Sequence, residues 1–438
     1  MVHNNMLIEN AASRFFKEGQ FQPVGMAKYL LEQLPTFNDN GHLYVYQNGV
    51  YVRDGEKKIR QFAQCLLGDR SRKKYIEETL YYITNQTLLD RNLPLQTDDD
   101  WINCSNGLLN WKTGELKPHT PEQLSTIQIP VKWNPEAYNA HVLNFLETIV
   151  PKDTVNLVLE MIGYCLIQNV KYQKCFIFLG TGSNGKSKLI ELIEAFVGKQ
   201  NRSSVSLQEL EGSRFKVAQL YNKLINICAD ISHKGLSKTE TIKKVTSGDS
   251  VNAEFKGKDP FDYNPFATLI FSANALPGTQ DVTEGFFRRL MIIPFPFKFT
   301  DENRDPNILE KITTEDSLSY LLKLAVESLR RLDRQKGFSD NESTRKALEQ
   351  YKYEADHVLS FAEECCCMTG DVNYLLTDTK KMYEVYKQWS TDSGLHSKGK
   401  KNFNKRLLEL YPELIYDYRP RRGGPRYWKG ISLLSEFI

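Results

Sequence analysis

The chain has 438 residues, 41% of them hydrophobic and 25% charged, an ordinary globular make-up sized for two to four domains at roughly 100–200 residues each. No apolar run approaches the ~18–20 residues of a membrane-spanning helix, the opening MVHNNMLIENAASRFFKEG lacks a secretory core, and the eight cysteines show no zinc spacing, so free thiols in a reducing cytoplasm are expected. The net charge of +3 hides an asymmetry: residues 396–430 hold ten Lys/Arg against three acids, a local +7, and the rest sums to −4, which points the C-terminal end at phosphate or an acidic surface.

Along the chain, residues 1–100 mix helical patches at Met6–Lys17 and Arg72–Thr84 with HLYVYQNGVYVRD. Asn48-Gly49 between aromatic runs predicts a hairpin there. INCSNGLLNWKTGELKPHTPEQ reads as short strands joined by Asn-Gly and Thr-Gly turns, and residues 137–168 as a helical segment with apolar spacing at Val142, Phe145, Leu146, Ile149, Leu157, Met161 and Cys165. From Lys174, the apolar runs CFIFLG, KLINICADI and ATLIFSAN alternate with helices, the pattern of a covered parallel sheet in an α/β domain. Ser317–Leu332 reads as a helix, and Arg334–Ser343 as a polar connector. Beyond it, helices at Thr379–Trp389 and Lys400–Leu410 precede the strands LIYDYRP and RYWKGISLL, split by the turn RRGGP. The organisation expected is residues 1–135 of open role, 136–335 as a helical segment leading into the α/β domain, and 340–438 as a small basic domain.

GTGSNGKS fills Gly180, Thr181, Gly182, Ser183, Asn184, Gly185, Lys186 and Ser187 and fits G-x-x-x-x-G-K-[ST]. Its glycines let backbone N–H groups close on phosphate oxygens, Lys186 is expected exposed and in reach of the β- and γ-phosphates, and Ser187 is expected on Mg²⁺. A strand leads in, and the amphipathic SKLIELIEAFVG leads out to Gly198. Asp230, closing KLINICADI, suits the acid that holds metal and water, and Asn274, closing ATLIFSAN, suits a residue orienting the attacking water. In EGFFRRLMIIPFPF, two arginines adjoin an aromatic pair and an apolar strand; a finger acting on a neighbour's nucleotide and plain surface charge flanking a strand both account for them. Lys256 and Lys258 fall in a loop or hairpin between Asp230 and Asn274, where they could touch a nucleic-acid backbone. Cys365–Cys367 end a helix with no ligand partner at metal spacing.

Together these motifs resemble the superfamily 3 helicases, closest to the helicase part of the phage- and plasmid-type primase-helicases that include the poxvirus enzyme. The similarity covers residues 98–434: NCSNGLLNWKTGELKPHTP, a helical collar entering the Walker A loop, Asp230 at Walker B, Thr246–Asp249 at the start of the B′ region, Asn274 at the sensor, Arg289 (with Phe287 and Arg288 beside it) at the finger, and a C-terminal part similar to a winged-helix domain. The resemblance implies an AAA+ P-loop ATPase using ATP and Mg²⁺, a homo-oligomeric ring (usually a hexamer) moving 3′→5′ on single-stranded DNA, and replication of a mobile element in the cytoplasm of a bacterial host. It departs from the pattern in two places. Ala229 precedes a lone Asp230 where many members carry two acids, which leaves the water-polarising residue open, and residues 1–100 carry no recognisable primase carboxylates, so a helicase without primase activity is expected.

The residues themselves agree. GKKNFNKRLLEL, with Lys400, Lys401, Lys405 and Arg406, and a wing-like hairpin at Arg421-Arg422-Gly423-Gly424 suit duplex origin DNA. Two alternatives stay open: an origin-binding initiator whose ATP site switches conformation without unwinding, and a P-loop nucleotide kinase, which accounts for GTGSNGKS but for neither the collar nor the basic C-terminus.

Overall fold

The structure, a computed structural model, describes residues 12–39, 41–89, 100–229, 231, 235–236, 238–279, 281–368, 375–393, 395 and 397–437. It is a mixed α/β chain. Half of the predicted Met6–Lys17 helix lies outside the described residues; Ala12 and Ser13 are helical, but Phe16–Lys17 form β1, which makes a small hairpin with β2 (Gln20–Phe21). Helix α1 (Pro23–Gln33) follows, then the antiparallel sheet β3 (Thr36–Asp39), β4 (His42–Gln47) and β5 (Val50–Val52). The β4–β5 turn is Asn48-Gly49, both at positive φ, as the sequence predicts. Helices α2 (Gly55–Leu67) and α3 (Lys73–Gln86) bury Ile59, Ala63, Leu80 and Ile83 against Met26 and Leu30 of α1.

A second antiparallel sheet, β6 (Trp101–Cys104), β7 (Gly107–Asn110) and β8 (Leu116–Lys117), shares one core with the helices after it. The predicted helix over 137–168 is in fact two, α4 (Ala140–Ile149) and α5 (Val155–Tyr164). Asn139 caps the first, its side chain accepting from the His141 N–H at 2.9 Å, and Pro151, which cannot continue a helix, separates the two. Glu160 of α5 is fully buried.

Five parallel strands form the central sheet: β9 (Cys175–Leu179), β10 (Arg202–Ser203), β11 (Ile225–Cys228), β14 (Thr268–Ala273) and β15 (Leu290–Pro294), in the order β10-β11-β14-β9-β15. Helix α6 (Lys186–Val197) leaves β9. Between β11 and β14 come α7 (Glu240–Ser247) and a hairpin of β12 (Val251–Ala253) and β13 (Phe261–Tyr263). The long α8 (Glu315–Gln335) runs three residues beyond its expected end and packs on α5.

Sequence reading missed α9 (Glu342–Ala355), whose polar outer face hides the Tyr351 and Ala355 stripe that covers β15. A separate core then gathers α10 (His357–Cys365), β16 (Cys366–Cys367), β17 (Leu376–Asp378), α11 (Thr379–Asp392), α12 (Lys400–Leu410), β18 (Ile415–Tyr418), β19 (Tyr427–Lys429) and β20 (Ser432–Leu433) around Phe361, Tyr386, Phe403 and Trp428. Its three-stranded sheet has the order β17-β19-β18. Cys366 and Cys367 are strand residues, not the end of α10.

Candidate functional site

Because all five central strands are parallel, their carboxyl ends lie along one edge, where open α/β sheets bind ligands. There β9 opens into Gly180–Ser187. The loop is anchored on both sides: the Gly180 N–H donates to the Ala273 carbonyl of β14 at 3.1 Å, and the Phe295 N–H after β15 donates to the Leu179 carbonyl at 2.7 Å. The Phe299 N–H donates to Ser183 O at 2.7 Å. Gly185 sits at φ 89° ahead of α6, and a Cβ there would fall against the Ile149 side chain; one at Gly180 would lie 2.6 Å from the Phe295 carbonyl. Both positions therefore require glycine.

Lys186 is 5% exposed, not exposed as expected. Its ammonium is folded into the loop, donating to the Gly180 carbonyl and to Asn184 Oδ1 at 3.1 Å. Thr181, Gly182, Ser183 and Ser187 are exposed. A lysine resting on loop oxygens inside a glycine cradle, with the first turn of α6 behind it, fits a phosphate chain.

Asn274 follows β14 directly and is exposed. Since β14 lies between β9 and β11, with Ala273 paired to Leu179, Asn274 stands beside the loop's entrance. Asp230 lies outside the described residues; the strand before it, β11, is the next one over.

The arginine pair is at the opposite edge. Leu290 pairs with Cys175 and Pro294 with Leu179, so Arg288 and Arg289 precede β15 by the whole length of the strand, roughly 16 Å from the loop at ~3.3 Å per residue. Arg289 is 8% exposed; its guanidinium donates to the Gly285 carbonyl and, at 2.7 Å, to Ser247 Oγ at the end of α7. Arg288 is exposed, with one bond to Gln173 Oε1 at 3.1 Å. Lys174, not singled out in the sequence, donates to the Arg288 carbonyl at 2.7 Å. Burial first, then the Arg288 charge, hold its pKa below the usual lysine value. A lysine opening an apolar strand gave no signal of its own.

Lys256 and Lys258 are exposed in the turn of the β12–β13 hairpin. The turn leans on the N-terminal sheet: Arg53 lies 4.7 Å over the Phe255 ring, and His42 meets it edge-on at 5.7 Å. Burial, then the charges of Arg53 and Lys258, push the His42 pKa down to about 4.

In the C-terminal part, Lys401 and Lys405 are exposed on α12, and Arg421 and Arg422 on the β18–β19 connection. Lys400 is half-buried, 6.0 Å over Tyr383. Arg406 is engaged within the chain, donating to Asp356 at 2.7 Å and Glu409 at 3.0 Å. Among the described residues no helix is long and apolar enough to cross a membrane, and no cluster of His, Cys, Asp or Glu suits a metal.

Three family matches cover different stretches: "D5 N terminal like" over residues 25–151, "Family of unknown function (DUF5906)" over 178–289, and "Poxvirus D5 protein-like" over 353–429. Three viral proteins named "Putative helicase" are similar. L207/L206 of Acanthamoeba polyphaga mimivirus is 25% identical over 48% of this chain and 23% of its own length. Protein 184R of Invertebrate iridescent virus 6 is 24% identical over 54% and 26%, and 121R of Invertebrate iridescent virus 3 is 25% identical over 57% and 30%. The chain thus spans about a quarter of the length of the curated relatives it matches. In fold, the apo NrS-1 C terminal region (305–718) superposes with a TM-score of 0.54 at 14% identity, covering 94% of this chain and 99% of that one. A second apo form of the region gives 0.54 with 93% and 98% coverage. With D5-type matches towards both ends, and viral relatives named as putative helicases over about half of its length, the findings support a poxvirus D5-like primase-helicase family for this chain.

Proposed function

We propose that the protein is an ATP-hydrolysing DNA helicase that starts replication of a mobile or viral genome. It would act as a ring of identical copies, a hexamer in this reading, moving 3′→5′ on single-stranded DNA. The carrying observation is the Gly180–Ser187 cradle with Lys186 held inside it and Asn274 at its entrance. Loop amides and Lys186 would hold the ATP phosphates, Ser187 and Asp230 the Mg²⁺, and Asn274 would orient the attacking water. Bound Mg²⁺ supplies charge neutralisation on the phosphate oxygens. The AAA+ assignment, the three-part organisation and the helical collar of α4 and α5 belong to this reading.

The ring is supported by the arginines. Neither Arg288 nor Arg289 can span the strand that separates it from its own loop, so a finger from this pair can serve only the nucleotide of another copy. The sequence resemblance assigns that role to Arg289; Arg288, being exposed, is the better placed to leave its own subunit, with Arg289 bracing it on α7.

The order helix–strand–strand–helix–helix–hairpin from His357, with sheet order β17-β19-β18, supports a winged-helix domain with α12 as the recognition helix and Arg421 and Arg422 on the wing. It would read duplex origin DNA, while Lys256 and Lys258 face the single strand. The cytoplasm of the host cell is the setting; the relatives are viral and lend no weight to a bacterial host.

The test is ATP turnover with and without single-stranded DNA, followed by unwinding of a forked duplex. A motor is stimulated by the strand and opens the fork. Turnover that ignores DNA, with tight duplex binding and no unwinding, would favour the switch-type initiator.

A further inference from the structure

The N-terminal part carries a patch that the reading above does not use. The β1–β2 hairpin turns through Glu18 and Gly19, at φ 52° and 76°, and lays its two phenylalanines against Tyr75 in the first turn of α3. Phe21 stacks on Tyr75 with ring centroids 4.4 Å apart and 25° between planes, while Phe16 is tilted against Phe21 at 5.6 Å and meets Tyr75 edge-on at 5.8 Å. All three rings are half-buried at the rim of their core rather than within it.

Cations frame these rings. Arg70 lies 5.5 Å over Phe16. Lys17, Arg70, Arg72, Lys73 and Lys74 are all exposed. Of the five, only Lys74 has a carboxylate within ion-pair distance among the described residues, Glu78 at 3.7 Å. The acid that could have neutralised the others, Glu77, is taken by Arg60 at 2.7 Å. Glu18 and Asp69 are the remaining acids adjoining the patch in sequence. The first turn of α3 has no acidic residue and no side-chain cap. Helix dipoles disfavour cations at that end, so the dipole, Arg72 and Lys73 add to one outward positive field, against which the described residues nearby set only Glu18, Asp69 and Glu77, the last already paired with Arg60.

Cations without a carboxylate partner around partly exposed aromatic rings are the chemistry of single-stranded nucleic acid: the cations meet phosphates, and the rings accept unstacked bases whatever their sequence. A duplex hides its base faces and would leave Phe16, Phe21 and Tyr75 unused. We propose that the β1–β2 hairpin and the start of α3 form a second binding site for single-stranded nucleic acid, separate from the β12–β13 turn and from the wing. The site extends the proposed helicase function, because it gives the displaced or incoming strand a place to rest outside the ring. It does not need ATP.

The experiment uses the full chain without nucleotide and a fluorescein-labelled oligo(dT), read by anisotropy across a salt series. The combined variant Arg70→Ala, Arg72→Ala, Lys73→Ala should raise the Kd at least tenfold and flatten the log–log salt slope by about 2, at ~0.7 per lost phosphate contact on a single strand. Ultraviolet cross-linking of oligo(dT) to the unaltered protein should yield adducts on Phe16, Phe21 or Tyr75, a readout that needs no variant to fold. A salt slope unchanged in the variant, or adducts confined to other segments, overturns the site. So does an equal loss for a duplex of the same length, or displacement of oligo(dT) by polyglutamate at equal charge, since each makes the patch a general anion surface. Failure of the helicase reading would appear in ATP turnover instead, which this measurement does not involve.

Discussion

Arg289 donates to the Ser247 hydroxyl at 2.7 Å, fastening the segment before β15 to the end of α7. The neighbouring Arg288 has no such tether beyond Gln173. The two arginines should therefore fail differently. Arg288→Ala should leave nucleotide binding and melting near those of the unaltered protein and remove most turnover, as loss of a transition-state charge does. Arg289→Ala should lower the melting temperature as well, because it strips Ser247 and the Gly285 carbonyl of a buried partner. Mixing the Arg288 variant with a Lys186→Ala variant should recover some hydrolysis at mixed interfaces. No recovery, together with normal melting of Arg289→Ala, would return the finger to Arg289.

Lys186→Ala should abolish hydrolysis. Its burial adds a structural consequence that the motif alone does not foretell: Asn184 Oδ1 and the Gly180 carbonyl lose their donor, so the empty protein should melt slightly lower. Gly185→Ala should be the harsher change, since a Cβ at φ 89° meets Ile149. Nucleotide binding by calorimetry should vanish in both, and a Gly185→Ala protein that binds as before would mean the loop is not the phosphate cradle.

How far the sequence reached is visible in these residues. The loop was legible because its chemistry is local: eight consecutive residues carry the glycines, the lysine and the serine, and an apolar strand precedes them. Strand continuity likewise marked β9, β11 and β14, and Asn48-Gly49 marked its hairpin. Partnership was not legible. Nothing in EGFFRRLM says which arginine points inward, because that depends on α7, forty residues earlier. Arg406 looked like one more cation on a basic helix until Asp356 lay beside it. The N-terminal cations went unread because their meaning comes from Phe16 and Phe21, some fifty residues before them.

Glu160 shows the same dependence in the helical region. It is fully buried and accepts from Arg331 at 2.7 Å, from Gln335 at 3.0 Å, and from the Ser339 N–H at 2.8 Å. It thus bolts α5 to the end of α8 and to the connector leading to α9. Glu160→Ala should cost about 3 kcal/mol, since removing one member of a buried charged cluster strands the rest. Denaturant unfolding measures it; a cost below about 1 kcal/mol would show that the connector is held elsewhere.

His42 ties stability to pH. Its folded pKa of about 4 lies below the ordinary 6.5. The unfolded chain therefore binds the proton first as pH falls, and stability declines between about 6.5 and 4. Above that window both states are neutral at this residue and it contributes no slope. His42→Gln should flatten the difference in melting temperature between pH 7 and 4.5. If the variant keeps the full slope, the contact with Arg53, Phe255 and Lys258 is not what excludes the charge.

Binding to duplex and to single strands should separate by location. Lys401 and Lys405 on α12, and Arg421 and Arg422 on the β18–β19 connection, are exposed, while Arg406 is spent on Asp356 and Glu409. Replacing the four exposed cations with Ala should flatten the duplex salt slope by up to about 4, at ~0.9 per phosphate contact. Arg406→Ala should instead lower the melting temperature of the C-terminal part, because Asp356 is 2% exposed and would be left buried without its partner. Lys256→Ala with Lys258→Ala should spare duplex binding and reduce unwinding, since these side chains stand on a hairpin that leaves α7 and returns to β14, the strand ending at Asn274. Movement at the nucleotide edge of β14 thus has a short covalent path to the turn. Anisotropy on both forms of DNA, with a forked-duplex assay, reads the two DNA-facing variants, and thermal melting reads Arg406→Ala. If the Lys256 and Lys258 variant unwinds normally while the α12 and wing variant does not, force is applied through the C-terminal part, and the hairpin serves only to dock against Arg53 and His42.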